Sequence, residues 1–284
     1  MQLEIDHVSY KYDIGTAFEK VAVDDVSLSI NKGEFVAIIG HTGCGKSTLI
    51  EHLNGLAKPS SGRVLFEGED INADGYDRKA LRGKVGLVFQ YPDHQLFEET
   101  IYKDVAFGPS NFLDDAEEID RRVRKSLELV GIPEKDFEKS PFELSGGQKK
   151  RITIAGVIAM QPEVLILDEP TAGLDPLGRD EILSSIKKIH EDTGCTIIWV
   201  SHNMEDVARF AERIVVLGNG KVMFDGEPKQ VFAEYKKLEK IGLKAPEVTY
   251  LMHDLKDAGV NADTEVITVD EAMEDLLKVL NKSK

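Results

Sequence analysis

Two short segments carry side chains suited to chemistry on a phosphate ester. The first, Gly40-His41-Thr42-Gly43-Cys44-Gly45-Lys46-Ser47, fits the spacing G-x-x-x-x-G-K-[ST] and follows the strand-like run Phe35-Val36-Ala37-Ile38-Ile39. Only glycine lets a backbone curl closely enough to aim successive N–H groups at phosphate oxygens, so Gly40, Gly43 and Gly45 are expected to form a cradle. A helix beginning near Gly45 and running through Leu49, Ile50 and Leu53 would bring its positive end to the same phosphates. Lys46 adds a mobile point charge, and Ser47 offers a hydroxyl to Mg²⁺. The second segment is Asp168-Glu169, at the end of the apolar run Val164-Leu165-Ile166-Leu167. Asp168, projecting from a buried strand, can hold the same ion through its water shell. Glu169 is then left over to orient an attacking water. The two segments together describe a site for a magnesium nucleotide with a carboxylate free to work on water.

The elements that must position these residues are legible in the apolar pattern. Leu3 to Val8 and Val26 to Ile30 alternate as half-buried strands and suggest an antiparallel flank. Further strands are expected at Arg63 to Phe66, Val85 to Phe89, Val164 to Asp168, Thr196 to Val200, Ile214 to Leu217 and Lys221 to Phe224. The continuous apolar runs among them suggest central parallel strands covered on both faces. From about Thr100 to Ala159 the pattern turns helical, with Ile119, Val123, Leu127 and Val130 on one stripe. After about Phe232 comes a tail with two stripes, Val248, Leu251, Met252, Leu255 and Ala258, then Ala272, Leu276, Leu277 and Leu280. Helices this short must pack on something, either their own core or a second subunit.

Bulk composition narrows the function classes. At 284 residues with 42% hydrophobic content, the chain can hold one large domain with an appendage, or two modest domains. Its 35 basic against 51 acidic residues give a formal charge of −16, which argues against nucleic acid as a partner. There is no apolar stretch of about 18 residues or more and no charged-then-apolar leader, so the chain is expected to fold in the cytoplasm. The two cysteines, Cys44 and Cys195, read as reduced thiols. Cys44 lies at a helix N-terminus, where its pKa is expected to fall and a thiol reagent to inhibit turnover.

A second constellation is Leu144-Ser145-Gly146-Gly147-Gln148, ahead of the helix-like stretch Lys149 to Met160. Ser145 and Gln148 have capping-box spacing. Two glycines at a helix start weaken it by up to ~1 kcal/mol each, which makes sense if an anionic ligand approaches the backbone. Here the chain resembles the ATP-binding cassette (ABC) ATPases, whose signature LSGGQ stands unaltered at Leu144 to Gln148. The resemblance extends over roughly residues 1 to 230.

That resemblance implies an α/β fold: a P-loop NTPase core with a mostly parallel central sheet, an antiparallel β flank, a helical signature subdomain and a C-terminal helical extension. It puts the cassette at residues 1–232, the helical subdomain at about 92–160 and a dimerisation extension at 233–284. It implies that ATP and Mg²⁺ are bound, with Tyr12 stacking on adenine and Gly40, His41, Thr42, Gly43, Cys44, Gly45, Lys46, Ser47 and Thr48 around the phosphates. Ser145, Gly146, Gly147 and Gln148 would face the nucleotide of another cassette, and Asp175, in the D-loop-like Ala172-Gly173-Leu174-Asp175, counts among the nucleotide-binding residues. Ser47, Gln90 and Asp168 would hold the metal; Glu169, His202 and Gln90 would be catalytic. Since one phosphate loop and one signature occur, a complete ATP site needs a partner cassette in trans. ATP would join the two, and hydrolysis would reset them.

The segment Tyr91-Pro92-Asp93-His94-Gln95-Leu96-Phe97, followed by Thr100 and Asp104 to Pro109, looks like the ATPase subunits of energy-coupling factor importers of vitamins or transition metals. The resemblance implies a transmembrane coupling protein and a membrane-embedded substrate-binding protein as partners, with the chain peripheral on the cytoplasmic face of the cell membrane. Leu96 and Phe97, if exposed, are candidates to grip a helix of the membrane partner; packing of the two in the core is the alternative. The long stretch Asp13 to Val21 and the tail resemble the second of two ATPase paralogues, which favours a heterodimer over a homodimer. Other ABC transporter classes share the ATPase motifs. A soluble cassette acting on ribosomes or DNA would bring two cassettes or a coiled coil and a basic surface. A GTPase switch would need N-K-x-D, and Asn281-Lys282-Ser283-Lys284 lacks the aspartate.

Overall fold

The computed structural model describes residues 1–91 and 95–282. Pro92, Asp93 and His94, in the segment likened to importer ATPases, lie outside the described residues, as do Ser283 and Lys284.

The strands run in chain order β1 (Leu3–Tyr12), β2 (Lys20–Ile30), β3 (Phe35–Gly40), β4 (Ser61–Phe66), β5 (Glu69–Asp70), β6 (Val85–Val88), β7 (Val164–Asp168), β8 (Thr196–Val200), β9 (Arg213–Gly218) and β10 (Lys221–Gly226). A four-stranded sheet has the order β2-β1-β4-β5, and a six-stranded sheet the order β10-β9-β3-β8-β7-β6. The first is antiparallel throughout. In the second, β9, β3, β8, β7 and β6 are parallel, and β10 returns antiparallel on β9. The antiparallel flank and parallel centre expected from the apolar pattern are both present.

Helices α1 (Lys46–Leu53) and α2 (Arg78–Lys84) come before β6, and α3 (Ile101–Ser110), α4 (Ala116–Leu129) and α5 (Gly146–Ile158) lie between β6 and β7. They are followed by α6 (Pro176–Thr193), α7 (Met204–Phe210), α8 (Pro228–Ala233), α9 (Tyr235–Lys240), α10 (Glu247–Asp257) and α11 (Val269–Lys282). None of the helices among the described residues is long and apolar enough to cross a membrane.

Strand residues divide by parity between two cores. Phe35, Ala37, Ile39, Leu165, Leu167, Ile197 and Trp199 join one core with side chains of α3 to α6. Val36, Ile38, Val164, Ile166, Ile198 and Val200 join another with α1 and the antiparallel sheet. Being covered on both faces is what makes β3, β7 and β8 apolar at successive positions rather than at alternate ones.

One face of the tail helices is covered within this chain. Val248 and Met252 of α10 pack with Ala262, Val266 and Ala272 in a small core of their own, joined by Leu255 and Leu276. Leu251, Val269, Met273, Leu277 and Leu280 remain exposed. Leu251, Leu277 and Leu280, grouped with the two stripes from sequence, therefore face outward.

Candidate active site

Parallel strands end together, and here their C-terminal edge gathers the chemistry. Register pairs Ile38 with Val200 and Asp168 with Val200, while Val88 pairs with Leu167. The segments following β3, β8, β7 and β6 therefore emerge side by side at one edge, the usual place for a ligand in an open parallel sheet.

The phosphate loop is held by two different constraints. Gly43 and Gly45 adopt left-handed φ of 78° and 108°, so these two provide the curl. Gly40 does not; a Cβ there would lie 2.4 Å from the Leu217 carbonyl oxygen and 2.5 Å from Cys44 Sγ, so this glycine is required by close packing. Lys46 is buried, with Nζ donating to the carbonyl oxygens of Gly40 at 2.7 Å and His41 at 3.1 Å. The expected mobile charge is instead an amine fixed by the loop it belongs to.

Cys44 also departs from expectation. Its thiol is buried behind the loop, and burial raises its pKa despite the nearby Lys46 ammonium. Position at a helix N-terminus does not lower it, because removal from water outweighs the charges nearby. Burial likewise pushes the Cys195 thiol up to about 12. Both cysteines are free, and the expected sensitivity to thiol reagents loses its basis.

A cleft of about 460 Å³ is lined by Tyr12, Gln90, Asp168, Glu169 and His202 together with loop residues Thr42, Gly43, Gly45, Lys46, Ser47 and Thr48. Gly40 and Cys44 are buried and His41 is half-buried, and none of the three lines the cleft. The Tyr12 hydroxyl shares a 2.9 Å hydrogen bond with Thr48 Oγ1, which leaves its ring at the mouth of the cleft. Ser47 Oγ donates to Asp168 Oδ2 at 3.0 Å, pairing two hard oxygen donors across 121 residues of sequence. Among the described residues there is no cluster of three or more His, Cys, Asp or Glu side chains able to hold a metal. A lone hydroxyl and carboxylate suit Mg²⁺, which keeps water and phosphate oxygens as its remaining ligands. Lys20 also lines the cleft, its Nζ 3.8 Å from where a Cβ on Gly43 would stand. Sequence reasoning missed it, because only the β1–β2 hairpin brings it there.

Glu169 is the most strained and most perturbed group in the cleft. Its φ of 50° is left-handed, a conformation costing on the order of 1–2 kcal/mol for a non-glycine residue. Its amide donates to Val200 O at 3.1 Å, and its carbonyl accepts the Ala172 amide at 3.1 Å. His202 Nε2 is 3.2 Å from Glu169 Oε1. That approach is off the line a hydrogen bond needs, and the buried Oε1 has no hydrogen-bond partner among the described residues. Burial first, then the Asp168 carboxylate, raises the Glu169 pKa to about 7, against Lys46, the His202 backbone N–H and Lys150. Burial and Lys46 lower the pKa of His202, favouring neutral imidazole.

This perturbation has a consequence for stability. The unfolded carboxyl titrates near 4.5 and the folded one near 7, so its stabilising contribution is full below pH 4.5 and is lost as pH rises to about 7. At ~1.36 kcal/mol per unit the loss reaches about 3 kcal/mol. Nucleotide-free Glu169→Gln should therefore melt several degrees above the unsubstituted protein at pH 8, with the gap closing toward pH 4.5. Thermal unfolding across that range checks it; a gap independent of pH would mean the carboxyl is not perturbed.

The remaining predicted residues lie elsewhere. Ser145 caps α5, with the reciprocal Ser145 and Gln148 bonds of a capping box. Ser145, Gly147, Gln148 and Asp175 line a separate pocket of about 270 Å³ that shares no residue with the Lys46 cleft. A Cβ on Gly146 would meet nothing within 4 Å, so the backbone there is open to approach from outside. The Asp175 carboxylate accepts the Gly178 amide at 2.7 Å and caps α6. A groove of about 600 Å³ is lined by Phe97, Phe107 and Phe112 among others. Phe97 is exposed and packs edge-on against Phe107. Leu96, named with it as a candidate, is only 4% exposed and belongs to the main core.

Comparison with known proteins agrees with this geometry. A family model described as ABC transporter matches residues 23–172. The chain is 56% identical over 282 residues to the energy-coupling factor transporter ATP-binding protein EcfA2 of Clostridium tetani, covering 99% of this chain and 98% of that one. It is 51% identical over 284 residues to EcfA2 of Clostridium perfringens, with both chains covered completely. Among solved structures it is similar to cbiO1 from Clostridium perfringens, described as part of the ABC transporter complex cbiONQ, at TM-score 0.75 and 42% identity, covering 88% of this chain and 98% of the other. The ADP- and Pi-bound dimer of the cassette MJ0796 matches at TM-score 0.73 and 31% identity, covering 80% of this chain and 98% of that one.

Proposed function

The chain belongs to the ABC transporter family, among the ATP-binding proteins of energy-coupling factor transporters, and from that membership we propose that it is the ATP-hydrolysing subunit of an importer of this type, powering uptake of vitamins or transition-metal ions through a membrane partner. The observation that carries the mechanism is the division of functional residues between two surfaces of one chain. Lys46, Ser47, Asp168 and Glu169 converge on one cleft, while Ser145 to Gln148 open on another pocket.

ATP occupies the cleft with its phosphates against Gly43, Gly45 and the Lys46 ammonium, and Tyr12 stacks on the adenine. Ser47, Gln90 and Asp168 would hold Mg²⁺, which would supply charge neutralisation on the phosphates. Glu169 accepts a proton from the attacking water, and His202 steadies the geometry at the terminal phosphate. The signature residues and Asp175 of a partner cassette close over this nucleotide, and those of this chain close over the partner's.

The tail, residues 233–284, serves as a dimerisation extension to the cassette at 1–232. Val269, Met273, Leu277 and Leu280 recur at helical spacing and are exposed, which supports a helix face that pairs with another cassette, a paralogue rather than a second copy. The Phe97 groove accepts a short helix of the transmembrane partner, which makes the subunit peripheral to the cytoplasmic face of the membrane. The −16 charge supports a reading without nucleic acid.

Purification of the tagged chain from detergent-solubilised membranes tests both levels of this reading. A second cassette and integral membrane polypeptides should accompany it, and the double variant Leu277→Glu/Leu280→Glu should lose most of the cassette partner. Recovery of ribosomes or nucleoid would overturn the importer reading; undiminished pairing of the double variant would overturn the role of α11.

A further inference from the structure

Lys150 is a lysine almost wholly removed from water, at 2% exposure, and no step above uses it. Burying an ammonium is unfavourable unless the charge is well placed. Its Nζ donates to the carbonyl oxygen of Glu169 at 2.6 Å, the same oxygen that accepts the Ala172 amide. Burial lowers the pKa of Lys150, while the carboxylates of Glu169 and Asp168 raise it. The bond is therefore made to the main chain of the left-handed turn that presents Glu169, and not to its carboxylate.

The same helix carries the signature glycines. Ser145 caps α5 and Gly146 opens outward, and Lys150 follows about 7 Å along the axis at 1.5 Å per residue. One rigid element thus meets a neighbour at its start and this chain's own Glu169 turn a little more than one turn later. We propose that Lys150 is a positioning residue for Glu169, tying the Glu169 turn to the signature helix so that docking at Ser145 to Gly147 is felt at the carboxylate of the same chain. The inference rests on the reading of Glu169 as the catalytic carboxylate.

The physical basis is that a carboxylate acting on water must be held to a fraction of an ångström, and a strained turn keeps its shape only when its surroundings dictate it. Val200, Ala172 and Lys150 supply the three main-chain bonds that do so. Of the three, only the bond from Lys150 comes from a side chain, so a side-chain substitution removes it and leaves the main chain as it is.

ATP turnover by the assembled pair of cassettes provides the test, with Lys150→Met, Lys150→Arg and Glu169→Gln compared side by side. Methionine keeps an unbranched stem and removes the donor; arginine restores one. Lys150→Met should lower kcat on the order of a hundredfold, with KM for ATP and nucleotide binding changed by less than about twofold, and Lys150→Arg should recover much of the loss. Lys150→Gln, too short to span the gap, should give the same split and serves if Lys150→Met does not fold. Unaltered kcat in Lys150→Met beside an inactive Glu169→Gln overturns this inference alone. Full activity in both removes Glu169 from its role and the inference with it. A rise in KM matching the fall in kcat, with no rescue by arginine, would make Lys150 a support of the cleft at large and overturn its assignment to Glu169.

Discussion

Glu169→Gln leaves ATP binding intact and lowers turnover by roughly two to four orders of magnitude, the contribution typical of a positioned general base. Glutamine matches glutamate in size, and the bonds that shape the turn, from Val200, Ala172 and Lys150, all involve the main chain of residue 169. The substitution therefore removes the proton acceptor and little else. Loss of folding cannot account for the effect, because replacing a carboxyl raised to about 7 by burial stabilises the nucleotide-free protein above neutral pH. Because binding persists while cleavage fails, ATP should hold two cassettes together as a lasting pair. Steady-state phosphate release, equilibrium nucleotide binding and size-exclusion chromatography with ATP check the three parts. Turnover at the unsubstituted rate would remove Glu169 from the mechanism.

A second large effect is expected at a residue that does not touch this chain's own nucleotide cleft. Ser145→Arg should abolish turnover at the site it faces while nucleotide binding by the isolated chain stays nearly unchanged. Ser145 lines the pocket with Gly147, Gln148 and Asp175, apart from Lys46 and Ser47. Losing its cap on α5 costs about 1 kcal/mol, which a folded domain of this size tolerates. The arginine adds a long cationic side chain where the partner's nucleotide must approach. In a pair with one unsubstituted cassette, the site facing the substituted signature should fail outright, whereas Lys150→Met should act mainly on the site that contains its own Glu169. Titration of the isolated chain with a fluorescent nucleotide, alongside turnover of mixed pairs, separates the cases. Loss of binding in the isolated chain would contradict the trans arrangement.

Much of the architecture was legible because it is written in local periodicity. Strands β3, β7 and β8 announced themselves as continuous apolar runs, and β1 by alternation; α1 followed from the glycine loop at its start. The short β5 and helix α2 were not foreseen, since two residues of strand and a single buried Leu81 leave no pattern to read. The N-terminal hairpin runs further than its apolar residues suggested, with β1 reaching Tyr12 and β2 starting at Lys20, because ladder bonds continue past the buried face. The sides taken by Leu96 and Leu251 were not legible, for the converse reason. An apolar residue in a loop or on a short helix has no neighbour in sequence that says which side will be covered.

By itself, the order of residues determined the phosphate loop, the Asp168-Glu169 pair and the capped signature helix, since each is set by backbone geometry over a few consecutive positions. Tertiary structure alone decided the company they keep. The strand order β3-β8-β7-β6 unites Lys46, Asp168, His202 and Gln90 in one cleft and leaves Ser145 and Asp175 on another surface. It also decided the state of each group: Lys46 held by its own loop, Cys44 kept protonated, Glu169 raised toward neutrality and Lys150 drawn to the Glu169 carbonyl. Burial and through-space charge depend on residues far apart along the chain, and no local pattern encodes them.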